Sequence, residues 1–364
     1  MWLCIWLIEA RKGRNKRRVY NEDKMALERL LEALEGQGWL FSKYRLKRDD
    51  ADRFCLLGQG ANGIVYEMQD TEGKSYALKV IGLGNRIIDP DKYYDWMGTY
   101  QNLFHDCEYM IYIIDAREFL LVFSDSEKLS VRDAGSLCDE KEGIILQFVL
   151  MEKLEVVLTK EGKNASLRRR LKSEREVFNF ALEIGKALCV MHSGNYVHGD
   201  VKLENMYFDK KKECYKLGDF SSMERAGKAV DVFACTDGYV APEIKKRKIT
   251  QYERTADIYS FGVCIFLLLN NLHFPGSSGY VVNKLQYADD YSFPKPRNAS
   301  DKMTHIIQKM CSYNKNDRYQ SMEEVVDAIQ KVMQEKEEER ILIFIENSDG
   351  MEFAAWIPKM DRPA

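Results

Sequence analysis

Tyr196-Val197-His198-Gly199-Asp200-Val201-Lys202-Leu203-Glu204-Asn205 gathers an acid, a lysine and an amide in one short stretch. It follows Glu174 to His192, where Val177, Phe180, Ala181, Ile184, Leu188 and Met191 recur at the spacing of one helix face. The stretch therefore reads as a loop carried at the end of a long helix. An aspartate there can accept or orient a hydroxyl proton. A lysine two residues on can neutralise a transferring phosphoryl group, and an asparagine oxygen can ligate Mg²⁺, which takes hard oxygen ligands. Lys216-Leu217-Gly218-Asp219-Phe220-Ser221 follows a turn at Asp209 to Lys212, and Asp219 is its natural metal carboxylate.

Upstream, Gly58-Gln59-Gly60-Ala61-Asn62-Gly63-Ile64-Val65 spaces three glycines as G-x-G-x-x-G. Glycine lets a backbone approach phosphates and donate N–H groups to them. The same spacing occurs in dinucleotide-binding folds, where a helix follows. Here Ile64-Val65-Tyr66 runs on into Glu67-Met68 as a strand, so a strand–loop–strand flap fits better. Tyr76-Ala77-Leu78-Lys79-Val80 is an apolar strand with one lysine, placed where a cation could hold the α- and β-phosphates of a nucleotide.

Together these segments resemble the signature set of the eukaryotic-type serine/threonine protein kinase family. The glycine loop, Lys79 in a V-A-I-K-like strand, the H-R-D-like loop at His198 and the D-F-G-like Asp219 occur in the family's order. Thr236-Asp237-Gly238-Tyr239-Val240-Ala241-Pro242-Glu243 is similar to the T-x-x-Y-x-A-P-E segment that closes an activation loop. Asp257 resembles the aspartate that anchors the catalytic-loop backbone, and Arg318 the arginine that pairs with the A-P-E glutamate, here Glu243. The likeness covers roughly Asp50 to Met333.

The resemblance implies an α+β, bilobal kinase-like fold, with a small antiparallel-sheet lobe, a larger mainly helical lobe and a cleft between them. It implies ATP and Mg²⁺ as cofactors and protein Ser/Thr hydroxyls as acceptors. Asp200, Lys202 and Lys79 would be catalytic, and Asn205 and Asp219 would hold the metal. Gly58, Gly60, Gly63, Val65, Ala77, Lys79, Glu152, Leu154 and Tyr207 would bind the nucleotide, with Met151 as gatekeeper. His198 and Phe220 would belong to the stacked side chains joining the lobes. Lys202 and Thr236 resemble serine/threonine rather than tyrosine kinases, and the A-P-E segment favours a protein acceptor over a small molecule.

Three departures stand out. Gly199 replaces the arginine that meets a loop phosphate in the family, so activity without loop phosphorylation is expected. Ser221 replaces the D-F-G glycine, which restricts the backbone there. The helix expected from Asp89-Pro90 to about Phe104 carries no glutamate to hold Lys79; Asp95 is the nearest acidic residue, and Trp96 can equally take the aligned position. A nucleotide-binding pseudokinase scaffold and a small-molecule kinase are therefore the alternatives.

The rest of the chain bounds this reading. With 364 residues, 45% of them apolar, the chain can bury a substantial core. A net charge of −3 gives no footprint for nucleic acid. Nine cysteines without a C-x-x-C pair argue against zinc or a disulfide framework, and Cys189 and Cys264 read as core residues of a cytoplasmic protein. Trp2 to Ile8 is apolar but too short to span a bilayer. The basic run from Arg11 to Arg18 leaves membrane-surface contact through residues 2–18 open, but a solvated terminus is the plainer reading. No oligomeric state is implied.

The division expected is an N-terminal extension over 1–49, a kinase domain over 50–333 (lobes 50–154 and 155–333) and a C-terminal extension over 334–364. In the first, Asn21 to Gly38 reads as an amphipathic helix, ended by Gly36 or Gly38, that packs on a neighbouring lobe. In the last, Glu335 to Arg340 should be solvated, and Ile341–Ile345 and Met351–Ile357 flank a turn at Asn347 to Gly350 as a hairpin. Further strands are read at Met110–Ile114 and Ile144–Met151 with a long loop, Ser124 to Gly143, between them. Thr255 to Leu269 and Met322 to Met333 read as helices, the first fully buried.

Overall fold

The structure, a computed structural model, describes residues 27–32, 34–35, 38–60, 63–84, 99–123, 129–133, 144–157, 171, 173–229, 236, 238–245, 251–274, 293–338, 340–346 and 352–358. The expectations for residues 2–18, the helix start at Asp89-Pro90, Asp95 and Trp96, and the turn at Asn347 to Gly350 lie outside them. These residues fall into two compact units, one drawn from Met1–His105 and Ile111–Lys153, the other from Asp106–Met110 and Leu154–Ala364. An antiparallel sheet builds the first and helices dominate the second, as the α+β kinase-like reading requires.

The first unit holds strands β1 (Tyr44–Leu46), β2 (Leu56–Gly60), β3 (Gly63–Asp70), β4 (Ser75–Gly84), β5 (Ile113–Phe123), β6 (Leu129–Asp133) and β7 (Ile144–Glu152). Their order is β1-β3-β4-β7-β5-β6, with β2 beside β3. Asp70 turns the chain between β3 and β4 by accepting the N–H groups of Glu72 and Lys74 at 3.0 and 2.9 Å. Two segments differ from the sequence expectation. The strand read at Met110–Ile114 starts at Ile113 and runs on to Phe123, because its polar members Asp115, Arg117 and Glu118 still find ladder partners on β7. Ser124 to Gly143 is not all loop: Leu129-Ser130-Val131-Arg132-Asp133 alternates apolar and polar residues and pairs with Phe119–Phe123 as β6.

Register divides β3, β4 and β7 into two faces. Tyr66 lies opposite Leu78 and Met68 opposite Tyr76, while Leu78 also faces Leu150. This face forms the core of the unit. Leu30, Leu31, Leu40 and Phe41 close it, with Leu31 fully buried. The N-terminal residues are thus built into the sheet's packing. Residues 27–32 are helical, but Gly38 opens the next short helix, Gly38–Phe41, rather than ending the first. The opposite face carries Val65 across from Lys79 and Ala77 across from Met151.

The second unit contains helices α1 (Glu174–Ser193), α2 (Arg254–Leu269), α3 (Asp301–Met310) and α4 (Met322–Glu338). Ser173 and Glu176 start α1 with a reciprocal capping box. The apolar stripe read from the sequence, from Val177 to Met191, is buried along it. On α2 every residue from Thr255 to Leu269 except Ser260 is buried, which explains why its sequence shows almost no polar face. Cys264 is buried as expected, whereas Cys189 is only half-buried; Cys311 is buried too, and no disulfide joins any of the described cysteines. The helix α4 runs past Met333, and Glu335, read as solvated, pairs with Lys302 at 2.9 Å. Beyond it, the strand Arg340–Glu346 pairs antiparallel with the strand Glu352–Pro358. Among the described residues no helix is long and apolar enough to cross a membrane.

Candidate active site

In the first unit Gly58 to Gly60 and Gly63 to Val65 lie on paired antiparallel strands. Gly58 pairs with Val65, Gln59 with Ile64 and Gly60 with Gly63, so a strand does follow the glycines. The glycines differ in what holds them. Gly63 has φ +146°, and a Cβ there would stand 2.4 Å from the Val80 carbonyl oxygen, so the close passage of β4 requires glycine. Gly58 has open space around it and no internal contact that demands glycine.

Lys79 sits on β4, 9% exposed, on the face shared with Val65, Ala77 and Met151. The same face buries Glu67, whose carboxylate receives Ser75 Oγ at 2.8 Å, Lys153 Nζ at 2.8 Å and Lys47 Nζ at 3.0 Å. Burial alone would raise that carboxyl, but these donors hold it below its ordinary range. Lys153 is thereby anchored directly after Glu152. Glu152 gives its N–H to Tyr112 O at 3.0 Å and takes the Tyr112 N–H on its carboxylate at 2.7 Å. Leu154 belongs to the second unit and is half-buried.

In the second unit the short strand Tyr196–Val197 feeds the loop from His198 to Asn205. The loop is shaped by Asp257 at the start of α2. Its Oδ2 accepts the His198 N–H at 2.7 Å and its Oδ1 the Gly199 N–H at 3.0 Å. His192 Nε2, at the end of α1, lies 2.9 Å from the same Oδ2. Burial raises the Asp257 carboxyl, yet the hydrogen bond and charge of His192, with help from His198, bring it below the ordinary value. His192 was missed in the sequence, although a histidine on the buried stripe of α1 was a usable signal.

Asp200, 8% exposed, stands at the centre of a polar triangle. Thr236 Oγ1 donates to Asp200 Oδ1 at 2.7 Å and accepts from Lys202 Nζ at 3.0 Å. Lys202 Nζ also donates to Asp200 Oδ2. Asn205 Nδ2 donates to the Asp200 carbonyl at 2.9 Å and to its Oδ2 at 3.3 Å. The asparagine amide is thus turned with its nitrogen toward Asp200, leaving its oxygen as the atom able to face a cation.

Asp219 is tied to this loop through its neighbour. Gly218 gives its N–H to Asn205 O at 2.9 Å and lies with its carbonyl 3.0 Å from His198 Nε2. Asp219 itself takes a left-handed backbone, φ 61° and ψ 67°, and opens the short turn Phe220–Ser222. Phe220 stacks edge-on against His198 with ring centroids 5.9 Å apart. The half-buried Tyr207 lies on the strand Met206–Asp209, and burial, reinforced by the charge of Asp219, pushes its phenol well above its ordinary value. Asp200, Lys202, Asn205, Asp219 and Thr236 are thereby linked within one unit.

The A-P-E segment is fixed by a buried ion pair. Arg318, 2% exposed, grips Glu243 with both terminal nitrogens at 2.7 and 2.8 Å. Its remaining N–H groups go to the carbonyls of Ser312, Thr255 and Tyr313, so all five donors of the guanidinium are satisfied. Among the described residues no group of three or more His, Cys, Asp or Glu side chains could by itself cage a metal. Mg²⁺ does not need such a cage; one or two carboxylates plus substrate phosphates suffice.

The protein kinase domain description matches residues 52–334. Over 166 residues the chain is 29% identical to the cell cycle serine/threonine-protein kinase CDC5/MSD2 of Saccharomyces cerevisiae, covering 44% of this chain and 23% of that one. Over 283 residues it is 26% identical to a probable cell cycle serine/threonine-protein kinase CDC5 homolog of Encephalitozoon cuniculi, covering 76% and 52%. Over 225 residues it is 24% identical to serine/threonine-protein kinase nekl-2 of Caenorhabditis elegans, covering 61% and 57%. The chain spans less than two thirds of each relative's length. A domain match across most of the chain, on top of a catalytic-type loop, a metal-type aspartate and an A-P-E segment in one linked network, places this chain in the protein kinase domain family, alongside serine/threonine-protein kinases.

Proposed function

We propose that the chain transfers the γ-phosphoryl group of ATP, with Mg²⁺, to Ser or Thr hydroxyls of proteins. The Asp200–Lys202–Thr236 triangle carries this reading. A threonine from the segment before Ala241-Pro242-Glu243 is joined to the carboxylate and the lysine that would handle the acceptor hydroxyl and the moving phosphate. That couples the order of the acceptor-side segment to the order of the catalytic loop.

In the transfer, the acceptor oxygen forms a bond to the γ-phosphorus while the bond to the bridging oxygen of ADP breaks, and the hydroxyl proton leaves toward Asp200. Asp200 orients that hydroxyl. Lys202 offsets charge on the transferring group, and Thr236 keeps one carboxylate oxygen of Asp200 in place. Asn205 and Asp219 supply hard oxygen atoms and would hold Mg²⁺, which when bound neutralises phosphate charge. By the family resemblance, Lys79 offsets α- and β-phosphate charge, and Gly58, Gly60 and Gly63 give backbone to the phosphates. Val65, Ala77, Tyr207, Glu152 and Leu154 hold the base. Little covalent chemistry falls to the protein, so positioning and electrostatics supply the rate.

The test is phosphoryl transfer from radiolabelled ATP with Mg²⁺ to generic protein acceptors, comparing the wild type with Asp200→Asn. Transfer to Ser and Thr by the wild type alone supports the proposal. Nucleotide binding without transfer identifies a pseudokinase scaffold, and transfer to metabolites but not proteins a small-molecule kinase.

A further inference from the structure

Ser221 occupies the position at which the family's D-F-G segment has glycine, and two observations give it a role of its own. Its hydroxyl donates to Asp219 Oδ1 at 2.7 Å. Its backbone lies within the short turn Phe220–Ser222, and it is not among the residues with positive φ, so this loop conformation does not call for glycine at 221. The strained backbone sits two residues earlier, at Asp219 itself. A non-glycine residue held left-handed is strained and persists only where neighbours hold it. The Ser221 hydroxyl and the clasp on Gly218 are such neighbours on either side of Asp219.

We propose that Ser221 is a positioning residue for the metal-holding carboxylate: its hydroxyl fixes the rotamer of Asp219 so that the oxygens face the cation without reorganisation. This rests on the reading that Asp219 holds Mg²⁺. A carboxylate oxygen has capacity for both a hydroxyl hydrogen and a cation, so the donor need not leave when the metal arrives. Partners of this kind orient metal ligands, and their loss commonly weakens metal affinity by about 10- to 100-fold. The serine thus replaces the mobility that glycine would give this loop with a preset ligand.

The test uses the full chain and a fluorescent, non-hydrolysable ATP analogue, titrated with Mg²⁺ and separately without metal. Ser221→Ala and Ser221→Gly should raise the apparent Mg²⁺ dissociation constant by about tenfold, leave metal-free nucleotide binding unchanged, and leave metal-free melting close to wild type. Ser221→Thr, which keeps the hydroxyl, should restore Mg²⁺ affinity. If Ser221→Ala binds Mg²⁺ as tightly as wild type, or more tightly, while Asp219→Asn loses its Mg²⁺ dependence, the role of Ser221 is overturned and the metal role of Asp219 stands. If Asp219→Asn keeps full Mg²⁺ dependence, the reading of the site itself fails.

Discussion

A Cβ on Gly199 would stand 2.7 Å from the carbonyl oxygen of Ser222. Gly199 has φ +77°, a conformation that side chains rarely adopt. The missing arginine is therefore more than a lost charge, because the turn after Asp219 has closed into the space a side chain at 199 would need. Gly199→Arg should destabilise the chain by about 1–3 kcal/mol and confer no response to loop phosphorylation. Thermal melting and activity before and after phosphatase treatment check both halves. A stable Gly199→Arg variant, or a wild type silenced by phosphatase and rescued by rephosphorylating the loop, would contradict them. In place of a phosphate clamp, the loop after Met223 is held by backbone: Glu224 and Arg225 pair with Val197 and Tyr196, and Ala229 bridges to Gln251.

Thr236 is the shared partner of Asp200 and Lys202, so its hydroxyl should matter more than its methyl. Thr236→Ala leaves Asp200 Oδ1 without that donor and should lower kcat about tenfold, the equivalent of one lost hydrogen bond to a charged group. Thr236→Ser should stay near wild type. Steady-state kinetics on both variants would decide the point; equal losses would assign Thr236 a packing role only.

Arg318→Lys keeps the charge but cannot replace a planar fork with five satisfied donors. It should cost about 1–3 kcal/mol, the penalty for leaving buried hydrogen-bonding groups unpaired. Urea denaturation of the two proteins measures this, and a midpoint shift corresponding to less than 1 kcal/mol would show that the pair behaves like a surface one.

Asp257 gives the fold an acid limit. Its native carboxyl titrates below the ordinary value of 3.8. A group depressed on folding contributes stability that is complete above its unfolded value and is lost as pH falls toward its native one. Stability should therefore fall as pH drops below about 4, together with loss of the His198–Asn205 loop. Asp257→Asn should be less stable at neutral pH and show a shallower decline in acid. Hydrogen exchange at the His198 and Gly199 amides would report the detachment, and amides that remain protected in Asp257→Asn would refute it.

Leu31→Ala should remove about 2–5 kcal/mol, as a fully buried leucine truncated in a packed core does. Chemical denaturation reads it directly. A change under 0.5 kcal/mol would mean that residues 27–32 only rest on the sheet.

The loops gathered at the candidate site were legible as candidates because polar side chains at fixed offsets have few structural excuses, as at Asp200, Asn205 and Asp219. The helices α1 and α2 were legible through periodicity and continuous burial. The strand β6 was not, since five residues in polar surroundings carry too little pattern until β5 supplies a partner. Nor was the part played by Gly63, which answers to the passing carbonyl of Val80. The bond from Ser221 to Asp219 and the pairing of His192 with Asp257 depend on rotamers and on chain segments distant in sequence, which no local pattern encodes.

The protein kinase domain match begins at residue 52, yet Leu30, Leu31, Leu40 and Phe41 seal the Tyr66–Met68–Leu78 surface. An expression fragment cut at the domain's nominal border would bare that oily patch to solvent. Such a fragment should clump or misbehave on purification for reasons unrelated to catalysis, and a dead preparation of it would say nothing about the enzyme.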